Sequence, residues 1–403
     1  MNMKGNFQIR KLTEKDRVSY KKLTRYAFET FKNSYDNLEY PSDKIPIDWY
    51  YGAFDKGILA AGVGYIPYDI RLRSQDFKMY GIAGVATKPE YRNRGIIREI
   101  MIKMFQDMYE NHVPTSVLFP FKHLFYENLG YKLVDEFVYY HFKISDIIFK
   151  KTDYHMVEVE RINDDIRNVY DNAIFNFDYI NKRPEIEYWR RYYKGNYKFI
   201  CYDGDQPKGY VLIVFPVKYG ISEWITHPEE TIVIRETFWL DQTAKQTIFN
   251  FLWSHRDQRE YVAGSFPVNE IIIDHLKSPQ ILERRILDNS LLRIINVKTV
   301  LENLRYRVED FFISFKIHDQ FCPWNNGVFT LKSKNGSLDV DFNKESNNPA
   351  DMEIDITHLA QLVAGYRTTK ELLDFSFISV NPEKLNLLKQ LFPKSNNFFH
   401  DFF

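Results

Sequence analysis

Residues 79–97 join a strand rich in small residues to the start of a basic helix. Within residues 79–87, bulky side chains alternate with small ones, which lets a ligand or another backbone come close. The small residues are Gly81, Ala83, Gly84 and Ala86. Pro89 ends the strand, and apolar side chains at helical spacing follow over residues 97–108. The pattern predicts a strand, a turn and an amphipathic helix whose first turn begins near Gly95.

Arginines at positions 92, 94 and 98 crowd the start of this helix. Each cation there costs about 0.3–1 kcal/mol, because the helix dipole places partial positive charge at its N-terminus. A bound phosphate reverses that cost, since free backbone N–H groups, a glycine and guanidinium groups together suit a pyrophosphate. The alternative is a turn with a solvated basic patch, because short glycine motifs recur by chance.

The composition indicates a globular chain of 403 residues, long enough for two to four domains. Its 54 Lys and Arg balance 54 Asp and Glu, so no net field draws it to nucleic acid or an anionic membrane. The two cysteines, Cys201 and Cys322, supply neither a disulfide framework nor a zinc site. No uncharged apolar run reaches the roughly 18 residues of a membrane span. We therefore expect a soluble, unexported, cytoplasmic protein without a metal site.

Residues 1–145 alternate predicted strands and helices, which favours an α/β layer with a ligand at the strand ends. Strands are predicted over residues 7–11, 49–54, 58–68, 79–87 and 115–119, and helices over residues 16–31 and 122–128 beside the basic helix.

Residues 146–290 repeat this order, which predicts a second copy of the same unit; an unrelated α/β domain is the alternative. Helices are predicted over residues 162–175 and 242–254, and strands over residues 197–202, 209–217 and 232–239. Where the first copy has its basic glycine loop, residues 239–244 carry Asp241 and no glycine. We expect that loop to repel pyrophosphate.

Residues 291–403 predict two strands joined by a turn that contains Pro323 and Gly327. An apolar helix is predicted over residues 355–366, with Gly365 as its cap. Four phenylalanines lie among residues 398–403, whereas most termini are polar and frayed. We expect this tail to dock against the rest of the chain.

Residues 92–97, Arg-Asn-Arg-Gly-Ile-Ile, resemble the coenzyme A loop of the GNAT acyltransferase superfamily, Gln/Arg-x-x-Gly-x-Gly/Ala, with Ile97 at the usually small last position. The three regions together resemble the enhanced intracellular survival (Eis) acetyltransferases. Further landmarks are residues 125–131, 319–329 and 359–365 and the aromatic C-terminus. The resemblance implies an α/β (α+β) fold: a catalytic GNAT domain over residues 1–145, a degenerate GNAT-like domain over residues 146–290, and a sterol carrier protein-like α+β domain over residues 291–403.

The resemblance implies acetyl-CoA as the cofactor, with the backbone of residues 85–87 pairing with its pantetheine arm. The expected cofactor-binding residues are Val85, Ala86, Thr87, Arg92, Asn93, Arg94, Gly95, Ile96, Ile97 and Arg98, with Phe121 and Lys122 lining the channel. Tyr126 matches the family's general acid, which protonates the leaving thiolate. A phenol of pKa about 10 can protonate a thiolate whose acid has a pKa of about 8.5. A packing tyrosine is the alternative.

The resemblance further implies that the α-carboxylate of the last residue, Phe403, is the general base. A carboxylate with a solution pKa of about 3.3–3.7 acts best as a base when aromatic neighbours desolvate it. A hydrophobic plug that anchors the third domain is the other reading of this tail. Glu29, Asp36 and Asp401 are candidates for binding a cationic acceptor, although such residues are usually just solvated.

These observations predict an acetyl-CoA-dependent N-acetyltransferase that acts on primary amines of a cationic acceptor such as an aminoglycoside. The resemblance implies a homo-oligomer, a hexamer in the family. One alternative is a protein or peptide lysine acetyltransferase. The other is a lipid-binding or scaffold protein in which the first domain only senses coenzyme A.

Overall fold

A computed structural model describes residues 7–28, 46–183, 193–216, 225–278, 283–344 and 349–401, arranged around three β-sheets. The strands are β1 Gln8–Lys11, β2 Tyr50–Asp55, β3 Ile58–Leu72, β4 Gln75–Thr87, β5 Thr115–Leu118, β6 Lys132–Leu133, β7 Glu136–Lys143, β8 His155–Val159, β9 Tyr179–Lys182, β10 Tyr197–Asp203, β11 Gln206–Val214, β12 Thr231–Trp239, β13 Tyr261–Pro267, β14 Glu283–Asp288, β15 Leu291–Ile294, β16 Phe311–His318, β17 Gly327–Lys334, β18 Ser337–Asn343, β19 Met352–Asp355 and β20 Ile378–Val380.

The α-helices of the described ranges are short apart from four that pack on the first two sheets. They are α1 Arg17–Ala27, α2 Ile96–Glu110, α3 His123–Glu127, α4 Asp164–Ala173, α5 Gln242–Trp253, α6 Val297–Asn303, α7 Ile356–Val363, α8 Thr369–Asp374 and α9 Leu385–Leu391. Within these ranges, no helix is both long and apolar enough to cross a membrane. The structure confirms the predicted strands and helices to within a few residues; residues 29–31, at the end of one predicted helix, and 217, at the end of one predicted strand, lie outside the described part.

The first sheet runs in the order β1-β2-β3-β4-β5-β15-β6, and β9 also pairs with β3. Helix α2 packs on this sheet through the apolar positions at helical spacing that the sequence predicts. These are Ile97, Ile100, Met101, Met104, Phe105 and Met108, all buried. Burial of this stripe fixes the start of the helix beside the end of β4.

The second sheet, read from β8, runs in the order β8-β10-β11-β12-β13-β7-β14. This order matches the first sheet strand for strand, which confirms the predicted second copy. The sixth strand of each sheet, however, comes from outside the region predicted to form that sheet. Strand β15 pairs with β5 and β6, while β7 pairs with β13 and β14.

This exchange of β7 and β15 crosses the predicted domain boundaries. Strand β7 falls within residues 1–145 but lies in the second sheet, and β15 falls within residues 291–403 but lies in the first sheet. The pattern of apolar residues along the chain cannot reveal such an exchange, because a strand has the same pattern whichever sheet it joins. The boundaries at 145 and 290 stay a prediction of domain units, whereas the sheets themselves are discontinuous in sequence.

The third sheet has the order β18-β17-β16-β19-β20. Strands β16 and β17 form the predicted hairpin, and inward residues alternate along β16 as Phe311, Ile313 and Phe315. Asp355 caps α7 by accepting a hydrogen bond from the Thr357 N–H, and Gly365 follows the helix with φ +67°. The core of this sheet is continuous with one face of the first sheet.

The C-terminal tail docks against the rest of the chain, as predicted, and it lies between the first two sheets. The Phe398 N–H donates to the Tyr179 carbonyl at 2.9 Å, and Phe398 and Phe399 are 4% and 1% exposed. Phe399 lies against Tyr179, and Phe398 lies against Phe177 and Phe238. Residues 402 and 403 lie outside the described part.

Asp135 occupies the junction where the chain first leaves the first sheet. Its carboxylate accepts hydrogen bonds from the side chain of Asn289, just before β15, and from the Phe399 N–H of the tail, at 2.5 and 3.0 Å. Burial raises the pKa of Asp135 to about 7, against this hydrogen bonding. One carboxylate thus joins both crossing segments and the tail.

We expect Asp135→Asn to change how the free energy of unfolding depends on pH. Between about pH 4 and 7 the folded state binds a proton that the unfolded state has released, so this group makes wild-type stability fall by up to roughly 1.4 kcal/mol per pH unit as pH rises. The variant lacks this contribution and gains relative stability between pH 5 and 7. Urea unfolding at several pH values measures the free energy of unfolding of both proteins. Asp341→Asn, on exposed β18, is the control. If the free energies of wild type and Asp135→Asn change with pH in parallel, the prediction is wrong.

Candidate active site

A cleft begins where β4 and β5 part. Their parallel pairing runs from Met79 opposite Thr115 to Ile82 opposite Leu118. Strand β5 then ends, whereas β4 continues through the predicted cofactor-pairing residues Val85, Ala86 and Thr87. The backbone of β4 therefore runs on past the end of its partner strand.

A β-bulge in β4 lies at this point. Gly62 of β3 is opposite Ala86 whereas Gly64 is opposite Ala83, so β4 carries one extra residue, and such a bulge bends the strand that contains it. Gly84 within the bulge has φ +60°, and a Cβ there would overlap the Tyr20 hydroxyl, which donates to the Gly84 carbonyl at 2.8 Å. Gly84 is required by both conformation and space.

The start of α2 has the features of an anion site. Gly95 precedes the helix in the left-handed region, φ +75° and ψ +10°, and no side chain caps it. The first helical bond runs from the Glu99 N–H to the Gly95 carbonyl, so the N–H groups of Ile96, Ile97 and Arg98 have no partner within the helix. A Cβ on Gly95 would meet no atom within 4 Å. Open space therefore borders these donors.

The three predicted arginines surround this helix start, and all are exposed. The Arg92 Nε lies 3.4 Å from the Thr87 carbonyl, and the Arg94 Nη2 donates to the Glu90 carbonyl at 2.9 Å. The Arg98 guanidinium lies 5.0 Å from the Phe321 ring. Within the described residues none of them forms an ion pair, so their charges stay available to an anion.

The remaining residues of the loop divide between surface and core. Asn93 is exposed with φ +60°, a conformation that asparagine tolerates better than most residues. Ile96 and Ile97 turn their side chains into the core, at 3% and 8% exposed. Ile97 can replace the family's small residue because its side chain points away from the open space, and only its backbone N–H faces the helix start.

Tyr126 lies in α3 among aromatic rings. Its ring centroid is 5.5 Å from Phe121, 5.0 Å from Phe125 and 6.2 Å from Tyr131. The residue is 3% exposed, and burial raises the pKa of Tyr126 above its usual value. The phenol therefore carries its proton at neutral pH, as a general acid must.

Phe121 and Lys122 lie on the loop between β5 and α3, and both side chains are exposed. Phe121 is 72% exposed although its ring touches Tyr126, and Lys122 immediately precedes α3. The predicted role of the two residues in lining a channel stays a prediction.

The other predicted catalytic and acceptor-binding residues fall into two groups. Glu29, Asp36 and Phe403 lie outside the described residues. Asp401 is 3% exposed, and its carboxylate accepts hydrogen bonds from Arg183 and Asn181. Its charge is thus already paired within the chain, which contradicts its predicted role in binding the acceptor. The ring centroid of Phe399, two residues before Asp401, lies 5.9 Å from that of Phe119, which directly follows β5.

The second sheet repeats the parted strands but not the anion site. Strands β12 and β13 pair in parallel from Thr231 opposite Tyr261 to Ile234 opposite Gly264, and β12 then continues to Trp239. At the start of α5, however, the Asp241 side chain accepts a hydrogen bond from the Ala244 N–H at 2.8 Å. A carboxylate occupies the place that stands open in the first copy.

Sequence reasoning missed two buried residues near this second cleft, Arg183 and Glu236. Arg183 lies in a segment with no recognisable motif, and Glu236 is a single acidic residue in an apolar strand. An acidic residue inside a predicted buried strand is the signal that points to Glu236, because such a charge must be paired when buried.

Family comparison agrees with this geometry. Residues 8–134 and 180–294 each match a model described as an acetyltransferase (GNAT) domain, and residues 297–400 match a sterol carrier protein domain. No curated protein sequence matches the chain.

Solved structures share the whole architecture. A probable N-acyltransferase from Enterococcus faecalis V583, 23% identical, covers 99% of this chain and 100% of its own with a TM-score of 0.84. A GCN5-related N-acetyltransferase from Anabaena variabilis, 21% identical, gives a TM-score of 0.86 over 99% and 100% of the two chains. Eis1 from Mycobacterium abscessus, 16% identical, gives 0.80 over 98% and 100%. The chain belongs to the GNAT acetyltransferases, with two GNAT domains and a sterol carrier protein domain in an Eis-like fold.

Proposed function

We propose that this protein transfers an acetyl group from acetyl-CoA to a primary amine of a cationic acceptor, such as an aminoglycoside. One observation carries the proposal: the uncapped start of α2 at Gly95, with three unpaired arginines, lies at the end of a strand that has parted from its neighbour. A pyrophosphate suits the helix start, and a pantetheine arm suits the open backbone of β4. The second sheet lacks this combination, since Asp241 caps α5.

Acetyl-CoA supplies the activated acetyl thioester, and the chain supplies proton transfer. The terminal carboxylate of Phe403 takes a proton from the acceptor ammonium, which frees the amine lone pair. Tyr126 gives its phenolic proton to the sulfur as the C–N bond forms and the C–S bond breaks, and the resulting phenolate takes up the second proton that the nitrogen loses as it becomes an amide. Burial raises the pKa of the Tyr126 phenol, and desolvation also raises the pKa of a thiol in such a site.

The docked tail supports the terminal carboxylate as the base. Phe399 lies against Phe119 at the end of β5, and Phe121 of the following loop lies against Tyr126. The tail therefore passes close to the segment that carries the proposed acid. Roles for Glu29 and Asp36 in attracting the acceptor, and a hexameric assembly, stay expectations from the resemblance.

Lysine side chains of proteins or peptides are the other acceptors that this chemistry allows. A lipid-carrier role finds less support. Buried side chains fill the core of the third sheet. A cavity of about 300 Å³ at its border is lined mainly by charged and polar residues, among them Arg73, Arg305 and Arg307. Mass spectrometry of reactions with aminoglycosides, polyamines and lysine peptides distinguishes the acceptors, because each acetylation adds about 42 Da.

Gly95→Asp is expected to abolish coenzyme A binding, because it places a carboxylate in the open space beside the unpaired N–H groups. Calorimetry should show the loss of the single coenzyme A site per chain. Gly336→Asp is the matched control, since Gly336 has φ +76° and equally open surroundings in the β17–β18 turn. Equal affinity in wild type and Gly95→Asp would contradict the assignment.

Tyr126→Phe is expected to lower turnover by roughly 10²–10⁴ while coenzyme A affinity stays within about twofold, as for a lost acid–base group. The ring keeps its contacts with Phe121 and Phe125, so folding should survive. Tyr109→Phe, on the exposed side of α2, is the control and should keep full turnover. Weaker coenzyme A binding with normal turnover would make Tyr126 a packing residue.

Residues added after Phe403 are expected to abolish turnover while the fold persists. The extension converts the terminal carboxylate into an amide, so the acceptor ammonium keeps its proton, whereas Phe398 and Phe399 still pack. Melting temperature, coenzyme A affinity and turnover of a C-terminally extended chain are compared with those of an N-terminally extended one. If both chains turn over equally, the terminal carboxylate is not the base.

A further inference from the structure

The second GNAT sheet has kept the cleft of the first, and the C-terminal tail occupies it. A cavity of about 170 Å³ lies beside the parted strands β12 and β13. Residues Thr237 and Trp239 of β12 and Ser265 of β13 line it, as do Phe398 and His400 of the tail. The tail thus lies in the second sheet where the pantetheine arm is proposed to lie in the first.

The correspondence extends to the bulge. Leu212 of β11 is opposite Glu236 and the next residue, Ile213, is opposite Ile234, so Arg235 is an extra residue in β12. This bulge follows the last parallel pair, as the bulge in β4 does. The Arg235 carbonyl contacts the His400 Nε2 at 3.0 Å. The tail therefore bonds the backbone of β12 at the bulge.

A buried ion network fastens the tail there. The Arg183 Nε donates to both Asp401 carboxylate oxygens, at 2.8 and 3.0 Å, and its Nη1 donates to Glu236 at 2.9 Å. The side chains of Arg183 and Glu236 are each 1% exposed and that of Asp401 is 3% exposed. Asn181 adds a hydrogen bond of 2.5 Å to Asp401.

Arg183 connects the first sheet, the second sheet and the C-terminal tail. It directly follows β9, which pairs with β3 of the catalytic sheet. Its other partners belong to the second sheet, through Glu236, and to the tail, through Asp401. Two further residues reach at most about 7 Å, so the position of Asp401 limits how far from it the chain terminus can lie.

We propose that Arg183 is a positioning residue: by holding Asp401 in the cleft of the second sheet, it sets where the terminal carboxylate of Phe403 lies. The second GNAT sheet then contributes to acetyl transfer by binding the tail in place of a cofactor. Asp241 adds negative charge at the start of α5, where a second pyrophosphate would have to enter. This inference rests on the proposed function of the terminal carboxylate as the base.

Asp401→Asn tests the positioning. Arg183 keeps Glu236 as its ionic partner, so the variant should fold, and the tail should lose its charged anchor. We expect kcat at saturating acceptor to fall by roughly 10–100-fold, since a misplacement of about 1 Å costs rate on this scale. Coenzyme A affinity should stay within about twofold of the wild type.

If the Arg183–Asp401 pair had a purely structural role, Asp401→Asn would lower the melting temperature and leave kcat unchanged. Asp16→Asn is the matched control, because it removes the charge of another Arg–Asp pair, with Arg10, outside the second sheet. His400→Ala is the second variant. It removes the contact with the Arg235 carbonyl without leaving a buried charge unpaired, and it should lower kcat in the same way.

A chain extended after Phe403 separates two hypotheses: that the terminal carboxylate is the base, and that Arg183 positions it. If extension after Phe403 leaves turnover unchanged, the terminal carboxylate is not the base, and the proposed function is wrong on this point. If extension abolishes turnover while Asp401→Asn and His400→Ala both keep wild-type kcat, the base is right and the positioning by Arg183 is wrong. A fall in kcat for both variants, with unchanged coenzyme A affinity, supports the positioning.

Discussion

The exchange of β7 and β15 is the constraint on which the rest of the structure depends. Each GNAT sheet is completed by a strand from outside its own predicted region, so each sheet depends on a distant part of the chain. The two chain crossings, before β7 and before β15, meet at Asp135, and the tail reaches the same point through Phe399. A groove between the sheets is thereby fixed in width, and this groove holds the tail. The position of the chain terminus follows from the exchange.

Two copies of one unit differ here mainly at a single helix start. In the first copy Gly95 leaves the N–H groups of α2 open, whereas in the second copy Asp241 satisfies those of α5. Glycine at the N-cap costs only about a few tenths of a kcal/mol relative to a capping side chain, so the uncapped start of α2 gives up little stability. The bulge and the parted strands persist in both copies. The second copy therefore has a similar cleft without the open helix start, and residues of the tail line it.

The sequence was sufficient for the elements and for the local chemistry of the first site. Gly95, the arginines and the stripe of α2 are encoded within a short segment, where periodicity and charge suffice. The docked tail also followed from local composition. Three features could not be predicted from the sequence, because each depends on residues far apart in the chain. They are the strand exchange, the bulge at Arg235 and the ion network of Arg183. Asp401 shows the difference: as a sequence it is one surface carboxylate among many, and only its distant partner Arg183 explains its burial.

The exchange also affects how the chain folds as it is synthesised. Strand β5 pairs on one side with β4, and its other side stays bare until β15 has left the ribosome, after the whole second sheet. During that interval β7 likewise lacks β13. Bare strand edges are sites of association with other chains, and pairing between distant segments is slow. The nascent protein therefore passes through a long stage with two open sheet edges, and its yield in a cell should depend on chaperones that cover them.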